Sequence, residues 1–315
     1  MEFRDRSLVL SEVGGELVDE LNEIVNDGTR YHLKYLSSEF KFSKGGNSNV
    51  YALRDSSGRN ADFAIKICNY SSPGRNASPH VKRRHGRFMN EIFVLRELKE
   101  KGKQNIIQIE FDGVINVDNR DFPYYVMEKA DTDLKEYILG NNNLDDSEKV
   151  KLCLDIYNSI KELHDEGYYH RDIKPDNVLL SFKGGETATW KLCDLGIVAH
   201  REKDYDDIGE RIGPIGWLSP EAMNKLLTQK ANIGFDCVID DKSDIFQLGK
   251  LFWFIFQGNT PIGQLELDDF ICEIVHKDDI FTLIKEMLRY SKEKRADREM
   301  IDLFMGDIAK RYAVA

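Results

Sequence analysis

Apolar residues near the start of the chain recur at helical spacing. In the stretch GGELVDELNEIVNDG they are Leu17, Val18, Leu21, Ile24 and Val25, and the pattern stops at Gly28. Apolar positions three and four residues apart share one helix face, so this pattern predicts an amphipathic helix within an N-terminal extension over residues 1–35. Such a stripe usually packs against its own domain, and self-association of the chain through this helix is the alternative.

From Phe40 to about Asp131 the pattern changes to short β-rich runs bounded by Gly, Asn, Asp and Ser. The runs are VYALR, DFAIKIC, IIQIEFDGV and YYVMEK. One helical run, RFMNEIFVLRELKEKG, interrupts them and ends at Gly102. A linker-like stretch over residues 69–87 is basic and lacks acidic residues, which predicts a solvated loop whose serines are candidates for autophosphorylation. We therefore predict a small β-rich domain over residues 36–130.

After Asp133 the apolar spacing becomes mainly helical. The helical runs are SEKVKLCLDIYNSIKELHDEG, DIFQLGKLFWFIFQG and DDIFTLIKEMLRYSKEKR. They predict a larger helical domain over residues 131–315.

Composition and charge narrow the functional classes. The 315 residues are 41% hydrophobic, and the formal net charge of −11 disfavours broad binding to nucleic acid or to an anionic membrane. Five cysteines without C-x-x-C spacing are typical of a reducing compartment rather than of a disulfide framework or a zinc site. Neither a signal peptide nor a membrane span is evident, so we expect a cytoplasmic protein.

The stretch YYHRDIKPDNVLL, residues 168–180, places three functional groups on one short turn. Phosphoryl transfer needs a carboxylate aligned on the attacking hydroxyl, a cation near the transferred group and hard oxygen ligands for Mg²⁺ or Mn²⁺. Asp172 could accept the hydroxyl proton, Lys174 could lie over the phosphoryl group and Asn177 could bind the metal. Asp194, in KLCDLG, supplies a second carboxylate after an apolar strand. Two ordinary Asp-rich turns would explain either segment alone, but not both in this order.

A Gly-rich turn, FSKGGNSNVY, precedes these segments. Its Gly45 and Gly46 could let backbone N–H groups approach a phosphate, although such a pair alone is more typical of a hairpin. Val50 follows the turn, and Lys66 lies 16 residues further on, at the end of FAIK.

With these motifs together, the chain resembles a eukaryotic-type protein kinase from Phe40 to Arg295. HRDIKPDN is similar to the catalytic loop of that family, DLG to its D-F-G, FAIK to V-A-I-K, and SPE at 219–221 to A-P-E. The resemblance implies a two-lobed α+β fold with a small β-rich N-lobe, a larger helical C-lobe and ATP in the cleft between them. It also implies transfer of the γ-phosphoryl group of ATP to a protein substrate.

The resemblance further implies roles for individual residues. Lys66 would pair with Glu91 and hold the α- and β-phosphates, while Asn177 and Asp194 would hold the metal. The residues implied to contact the nucleotide are Gly45, Gly46, Val50, Lys66, Met127, Glu128, Ala130, Asn177 and Asp194. The residues implied to act in catalysis are Asp172, Lys174, Lys66 and Glu91. The residues implied to have supporting roles are Leu95, His170 and Leu195 in an apolar spine, Asp244 bracing the catalytic loop, and Arg295 paired with Glu221.

Several positions depart from the family pattern. Ser43 and Ser48 replace two glycines of the Gly-rich loop, and Pro214 stands where Ser/Thr kinases usually have a Thr. Lys174 favours Ser/Thr specificity, whereas the segment around Pro214 resembles tyrosine kinases, so dual or Tyr specificity is the alternative. A pseudokinase and a small-molecule phosphotransferase are further alternatives. An active enzyme is favoured over a pseudokinase because four motif residues are all present, namely Lys66, Asp172, Asn177 and Asp194. A protein kinase is favoured over a small-molecule phosphotransferase by the KP and SPE segments.

The segment from Asp194 to Glu221 has no Thr, and its only Ser lies within SPE. Tyr205 is then its one usable phosphate acceptor. A phosphate on this segment commonly pairs with an Arg before the catalytic Asp, here Arg171. We hypothesise that neighbouring carboxylates supply this charge permanently; the candidates are Asp204, Asp206 and Asp207.

Overall fold

A computed structural model describes residues 1–315 except 6, 37–46, 57–62, 142–143, 182–188, 204–205, 207–208, 229–233 and 315. The chain divides into two compact units, Met1–Ala130 and Asp131–Ala315.

The first unit is built mainly of antiparallel strands. Its elements are β1 (Glu2–Arg4), β2 (Ser7–Val9), β3 (Glu12–Val13), β4 (Glu16–Leu17), β5 (Glu23–Asn26), β6 (Thr29–Lys34), β7 (Ser48–Asp55), β8 (Phe63–Cys68), α1 (Pro79–Glu100), β9 (Ile109–Val117) and β10 (Arg120–Glu128). Six strands form one sheet in the order β5-β6-β7-β8-β10-β9. The register places Lys66 of β8 opposite both Val50 of β7 and Tyr125 of β10.

The prediction of an N-terminal helix is wrong, because short strands and one turn of 3₁₀-helix occupy residues 14–28. Burial there follows a strand and not a helix: Ile24 is 5% exposed, whereas its neighbour Val25 is 55% exposed. Asp27 and Gly28 have φ values of 48° and 77° and form the two-residue turn between β5 and β6. An Asp-Gly pair is a strong hairpin signal, which the helical spacing of the apolar residues obscured.

The N-terminal extension is also not a separate body. Strand β6 pairs with β7, with Lys34 opposite Ala52, so residues before the predicted boundary at 35 belong to the main sheet. The strands predicted from VYALR, DFAIKIC and YYVMEK are confirmed as β7, β8 and β10.

Helix α1 begins earlier than the sequence pattern indicated. It starts at Pro79, so half of the stretch predicted as a solvated loop is helical. Ser78 caps the helix by accepting a hydrogen bond from the backbone N–H of Val81, and Pro79 occupies the first turn. Ser-Pro at a helix start satisfies one orphan N–H group and preorganises the backbone, which explains why the basic run that follows is ordered as helix.

The second unit is mainly helical. Its elements are β11 (Thr132–Asp133), α2 (Leu134–Gly140), α3 (Asp146–Asp165), β12 (Tyr168–Tyr169), β13 (Val178–Ser181), β14 (Thr189–Leu192), β15 (Ala199–His200), α4 (Pro220–Leu227), α5 (Asp241–Gln257), α6 (Lys277–Met287) and α7 (Arg298–Arg311). The three predicted helical runs are confirmed as α3, α5 and α6, although α6 ends at Met287. Helix α5 is buried along most of its length and packs against α3 and α6, so it forms the centre of this unit.

Candidate active site

In the first unit, Lys66 and Glu91 form a buried ion pair. Strand β8 carries Lys66, and α1 presents Glu91 to it with Nζ at 2.8 and 3.0 Å from the two carboxylate oxygens. The side chains are 8% and 1% exposed, and the hydroxyl of Tyr125 donates a further hydrogen bond of 3.0 Å to Glu91. A buried charge without its partner is costly, so the pair fixes α1 against the sheet.

Three of the residues predicted to contact the nucleotide lie at the end of β10 or just after it. Met127 and Glu128 are buried, and Glu128 is held in place because its Oε1 accepts a 3.0 Å hydrogen bond from the backbone N–H of Gln108. Ala130 is the last residue of the first unit. Gly45 and Gly46 lie outside the described residues, so Val50, in β7, is the one residue of the Gly-rich segment predicted to contact the nucleotide that the structure describes.

In the second unit, Asp172 lies on the loop between β12 and β13, with its two carboxylate oxygens in different environments. Oδ2 accepts hydrogen bonds of 2.8 Å from Lys174 and 2.9 Å from Asn177. Oδ1 is buried and has no hydrogen-bond partner among the described residues. An unmade hydrogen bond on a buried acceptor costs about 1–3 kcal/mol. This oxygen is therefore suited to a ligand group that donates a hydrogen bond.

Charges couple the ionisable groups around this loop. Burial raises the pKa of Asp172, the Asp194 carboxylate adds to that shift, and the Lys174 ammonium opposes it. Burial lowers the pKa of Lys174, but the carboxylates of Asp172, Asp194 and Asp176 outweigh that effect and raise it. Lys174 therefore stays protonated, whereas Asp172 binds a proton more readily than an ordinary aspartate.

The predicted metal ligands offer only oxygen. The side-chain amide N–H groups of Asn177 donate to the backbone O and the Oδ2 of Asp172, which leaves the amide oxygen as the ligand atom. The Asp194 carboxylate would be the second ligand group, and Asp194 lies two residues after the end of β14. One amide and one carboxylate fit Mg²⁺, which keeps waters and substrate phosphates as its other ligands. Among the described residues, no His, Cys, Asp or Glu side chains gather in threes as in a protein-only metal site.

Buried residues of α5 hold the backbone of this loop. Asp244 accepts hydrogen bonds of 2.7 Å from the backbone N–H groups of both His170 and Arg171. Gln247 donates to the backbone O of Arg171 at 3.1 Å and accepts from the N–H of Ile173 at 2.9 Å. The bracing role of Asp244 was predicted, whereas Gln247 was missed. Its position three residues after Asp244, on the same helix face, was the available signal.

Residues 38–311, most of the chain, match the family model described as "Protein kinase domain". The chain belongs to the protein kinase family. Its β-rich first unit and mainly helical second unit are the two parts of the α+β protein kinase fold.

Individual relatives align with this kinase at modest identity. The serine/threonine-protein kinase cds1 of Schizosaccharomyces pombe is 27% identical over 202 residues, 64% of this chain and 40% of that protein. The probable serine/threonine-protein kinase PknB of Lactococcus lactis is 28% identical over 223 residues, 70% of this chain and 31% of that protein. The dual specificity protein kinase TTK of Mus musculus is 22% identical over 180 residues, 56% of this chain and 20% of that protein. The kinase therefore spans less than half the length of these relatives.

His170 links the catalytic loop to the strand that leads into Asp194. Its Nδ1 accepts a 3.2 Å hydrogen bond from the backbone N–H of Asp172, so its Nε2 carries the proton and donates to the backbone O of Cys193 at 3.0 Å. This imidazole is fully buried, as is the side chain of Leu195 in the same unit. His170 thereby links the backbone of Asp172 to the backbone of Cys193, the residue before Asp194.

The activation segment of this kinase, residues 194–221, contacts the catalytic loop through Asp206. Its Oδ2 pairs with the Arg171 guanidinium, and both side chains are 3% exposed. The buried ammonium of Lys225, in α4, lies 3.4 Å from the same oxygen. The hypothesis that a carboxylate pairs with Arg171 thus holds for Asp206, and Lys225 was missed by sequence reasoning. The other residues of that hypothesis, Asp204, Tyr205 and Asp207, lie outside the described residues.

The SPE segment is anchored by a buried pair. Arg295 donates hydrogen bonds of 2.7 and 3.3 Å to the two oxygens of Glu221, and the hydroxyl of Ser243 donates to the same carboxylate at 3.0 Å. Other guanidinium N–H groups bond to backbone oxygens of Lys242 and Arg289. The predicted pairing of Glu221 and Arg295 is confirmed.

None of the helices described above combines the length and apolar character that crossing a membrane would require.

Proposed function

We propose that this chain is an active protein kinase that transfers the γ-phosphoryl group of Mg-ATP to Ser or Thr hydroxyls of protein substrates. The observation that carries the proposal is the asymmetry of Asp172. One carboxylate oxygen is held by Lys174 and Asn177, while the other is buried and has no partner in the part of the chain that the structure describes. A substrate hydroxyl would supply the missing donor and would be aligned for attack.

Each group in this arrangement has a chemical task. The unpaired Oδ1 of Asp172 would accept the hydrogen bond of the attacking hydroxyl and then its proton, and the raised pKa of Asp172 favours proton acceptance. The Lys174 ammonium, kept charged by its neighbours, would face the negative charge of the transferred group. Lys66, oriented by Glu91, would bind the nucleotide phosphates. Mg²⁺ or Mn²⁺ held by Asn177 and Asp194 would neutralise charge on the phosphates.

Ser/Thr specificity is supported by Lys174, which contacts the proposed base Asp172 directly, and by the names of the aligned relatives. Pro214 stands where Ser/Thr kinases usually have a Thr, and it lacks the Thr hydroxyl. Dual specificity is therefore the second candidate, and one aligned relative carries that description. We further propose a cytoplasmic protein that can phosphorylate itself; all five cysteines are thiols, which fits a reducing compartment.

We also propose that activity does not need a phosphate on the activation segment. Asp206 already places a buried carboxylate on Arg171, where a phosphate commonly binds in kinases with an Arg before the catalytic Asp. A carboxylate carries about one charge against about 1.5 to 2 for phosphate. The same carboxylate also lies 3.4 Å from the buried ammonium of Lys225, so this single negative charge holds two cations, Arg171 and Lys225.

The experiment is a transfer assay with labelled ATP and Mg²⁺. The acceptors are a generic protein substrate, peptides with Ser, Thr or Tyr as the only hydroxyl, and the small molecules choline and an aminoglycoside. We expect transfer to the protein and to the Ser and Thr peptides, and loss of transfer in Asp172→Asn. Transfer only to small molecules would overturn the protein kinase proposal. Nucleotide binding without any transfer would indicate a pseudokinase.

A further inference from the structure

The N-terminal residues cover one face of the sheet in the first unit. Strand alternation puts Val50, Lys66 and Tyr125 on the face that meets Glu91 of α1. The opposite face is apolar and would be exposed without a cover. It packs into one core with side chains from the N-terminal 34 residues; the core members are Leu8, Leu10, Ile24, Leu33, Tyr51, Leu53, Ile65, Ile67, Val117, Phe122, Tyr124 and Val126.

Within this apolar contact lies a buried polar group, Asn49, next to Val50. Its side-chain N–H₂ group donates to the hydroxyl of Ser7 at 2.6 Å and to the backbone O of Leu8 at 2.7 Å. The hydroxyl of Tyr51 accepts from the same amide at 3.1 Å and donates to the backbone O of Leu8. Asn49 is 3% exposed, so water cannot replace these partners.

The network continues toward the Gly-rich segment. Asn69 donates from its side chain to the Oδ1 of Asn49 at 3.3 Å, and its backbone N–H donates to the backbone O of Asn47 at 2.9 Å. Asn47 is the first described residue after the two glycines. The start of β7 is therefore held in two ways, through its backbone by β8 and through the Asn49 side chain by Ser7 and Leu8.

We propose that Asn49 is a positioning residue for the nucleotide, and that the N-terminal strands act through it to fix the end of the Gly-rich segment. This inference rests on the proposed function, because it assigns Val50 and Lys66 to nucleotide binding. Asn49 and Val50 are consecutive in β7, so a change in how the Asn49 side chain is held moves Val50 relative to Lys66, its cross-strand neighbour. The N-terminal segment is in this view a part of the nucleotide site and not a separate appendage.

The test uses the full chain and four variants. Asn49→Ala removes the whole network, and Ser7→Ala removes only the partner that lies in the N-terminal segment. Asn116→Ala is the matched control, an exposed Asn of the same sheet whose side chain bonds Asp121 at 2.8 Å. Ile24→Val lowers stability within the same core without touching the network. We measure the KM for ATP, kcat, the affinity for a fluorescent ATP analogue, and hydrogen exchange of residues 47–50 without nucleotide.

We expect Asn49→Ala to raise the KM for ATP about tenfold, with a smaller change in kcat, and to speed exchange at residues 47–50. Ser7→Ala should do the same to a lesser degree, about threefold in KM, because Leu8 still accepts from Asn49. Asn116→Ala and Ile24→Val should leave both the KM for ATP and the exchange at residues 47–50 unchanged.

Unchanged exchange and unchanged KM in both network variants would overturn the proposal, as would equal effects in the controls. If the parent fails to bind nucleotide, the proposed function falls, and exchange at residues 47–50 alone decides the positioning role. If Asn49→Ala does not fold, Ser7→Ala decides in its place.

Discussion

Replacement of Asp206 by Asn tests whether a carboxylate stands in for an activation-segment phosphate. The substitution keeps the shape and one acceptor but removes the charge that faces Arg171 and Lys225. All three side chains are at least nine-tenths buried, so solvent screens them little. Removing one partner of a buried pair costs about 3–5 kcal/mol, and the retained acceptor of Asn places this change near the lower end.

A cost of about 3 kcal/mol lowers the ratio of ordered to disordered activation segment by about 10². Because only the ordered segment supports transfer, kcat/KM should fall by about tenfold to a hundredfold. The smaller fall applies if the ordered segment of the parent is so stable that much of it stays ordered in the variant. Asp155→Asn is the matched control, because its partner Lys151 lies at 2.9 Å on the exposed surface of α3. Loss of that pair should cost no more than about 0.5 kcal/mol and leave the rate unchanged.

The assay compares initial rates of the parent and both variants after phosphatase treatment. The expected order is an active dephosphorylated parent, an equally active Asp155→Asn and a strongly impaired Asp206→Asn. An inactive dephosphorylated parent would show that a phosphate is needed after all. A fully active Asp206→Asn would show that the contact with Arg171 has no role in ordering the segment.

Further predictions concern the catalytic groups and the anchor of the SPE segment. Asp172→Asn should lower kcat by about 10² to 10⁴ while the nucleotide Kd stays near the parent value, and parallel loss of both would contradict a role as base. Because burial raises the pKa of Asp172 and the base must be ionised, kcat should fall with decreasing pH in a limb that lies above the ordinary aspartate pKa of about 3.9; a limb at or below that value would contradict it. Activity should vanish in EDTA and return with Mg²⁺, and undiminished turnover in chelator would rule out the two oxygen ligands as a metal site. Glu221→Gln should lower the free energy of unfolding of the second unit by about 3–5 kcal/mol in urea titration, since it leaves Arg295 buried beside a neutral amide; a change below 1 kcal/mol would contradict that reasoning.

The second unit was more predictable from sequence than the first. Its motifs are short and local, so the contacts of Asp172 with Lys174 and Asn177 span only two and five residues. Its long helices have clear apolar periodicity, and α3 also carries a capping box at Asp145 and Glu148. Local sequence and final structure agree there, which makes pattern reasoning reliable.

The N-terminal strands could not be predicted because they are stabilised by contacts with parts of the chain that are distant in sequence. Leu8 and Asn49 are 41 residues apart, and their contact leaves no trace in either local pattern. Short strands of two to four residues show too few alternations to compete with a coincidental helical spacing. Lys225 was missed for a similar reason, since its buried pairing with Asp206 depends on how α4 packs against the activation segment.

Two strained residues show why the site needs its distant supports. Arg171 and Asp194 are not glycines, yet they have φ values of 71° and 60°, in the left-handed region. Such conformations cost about 1–3 kcal/mol each and persist only where surrounding contacts over-determine them. Around Arg171 those contacts are the hydrogen bonds of its backbone with Asp244 and Gln247, residues 73 and 76 positions away. Beside Asp194 the backbone O of Cys193 is held by His170. The motif residues therefore define which groups do the chemistry, while α5 and His170 hold the backbone in a shape that the motif alone would not adopt.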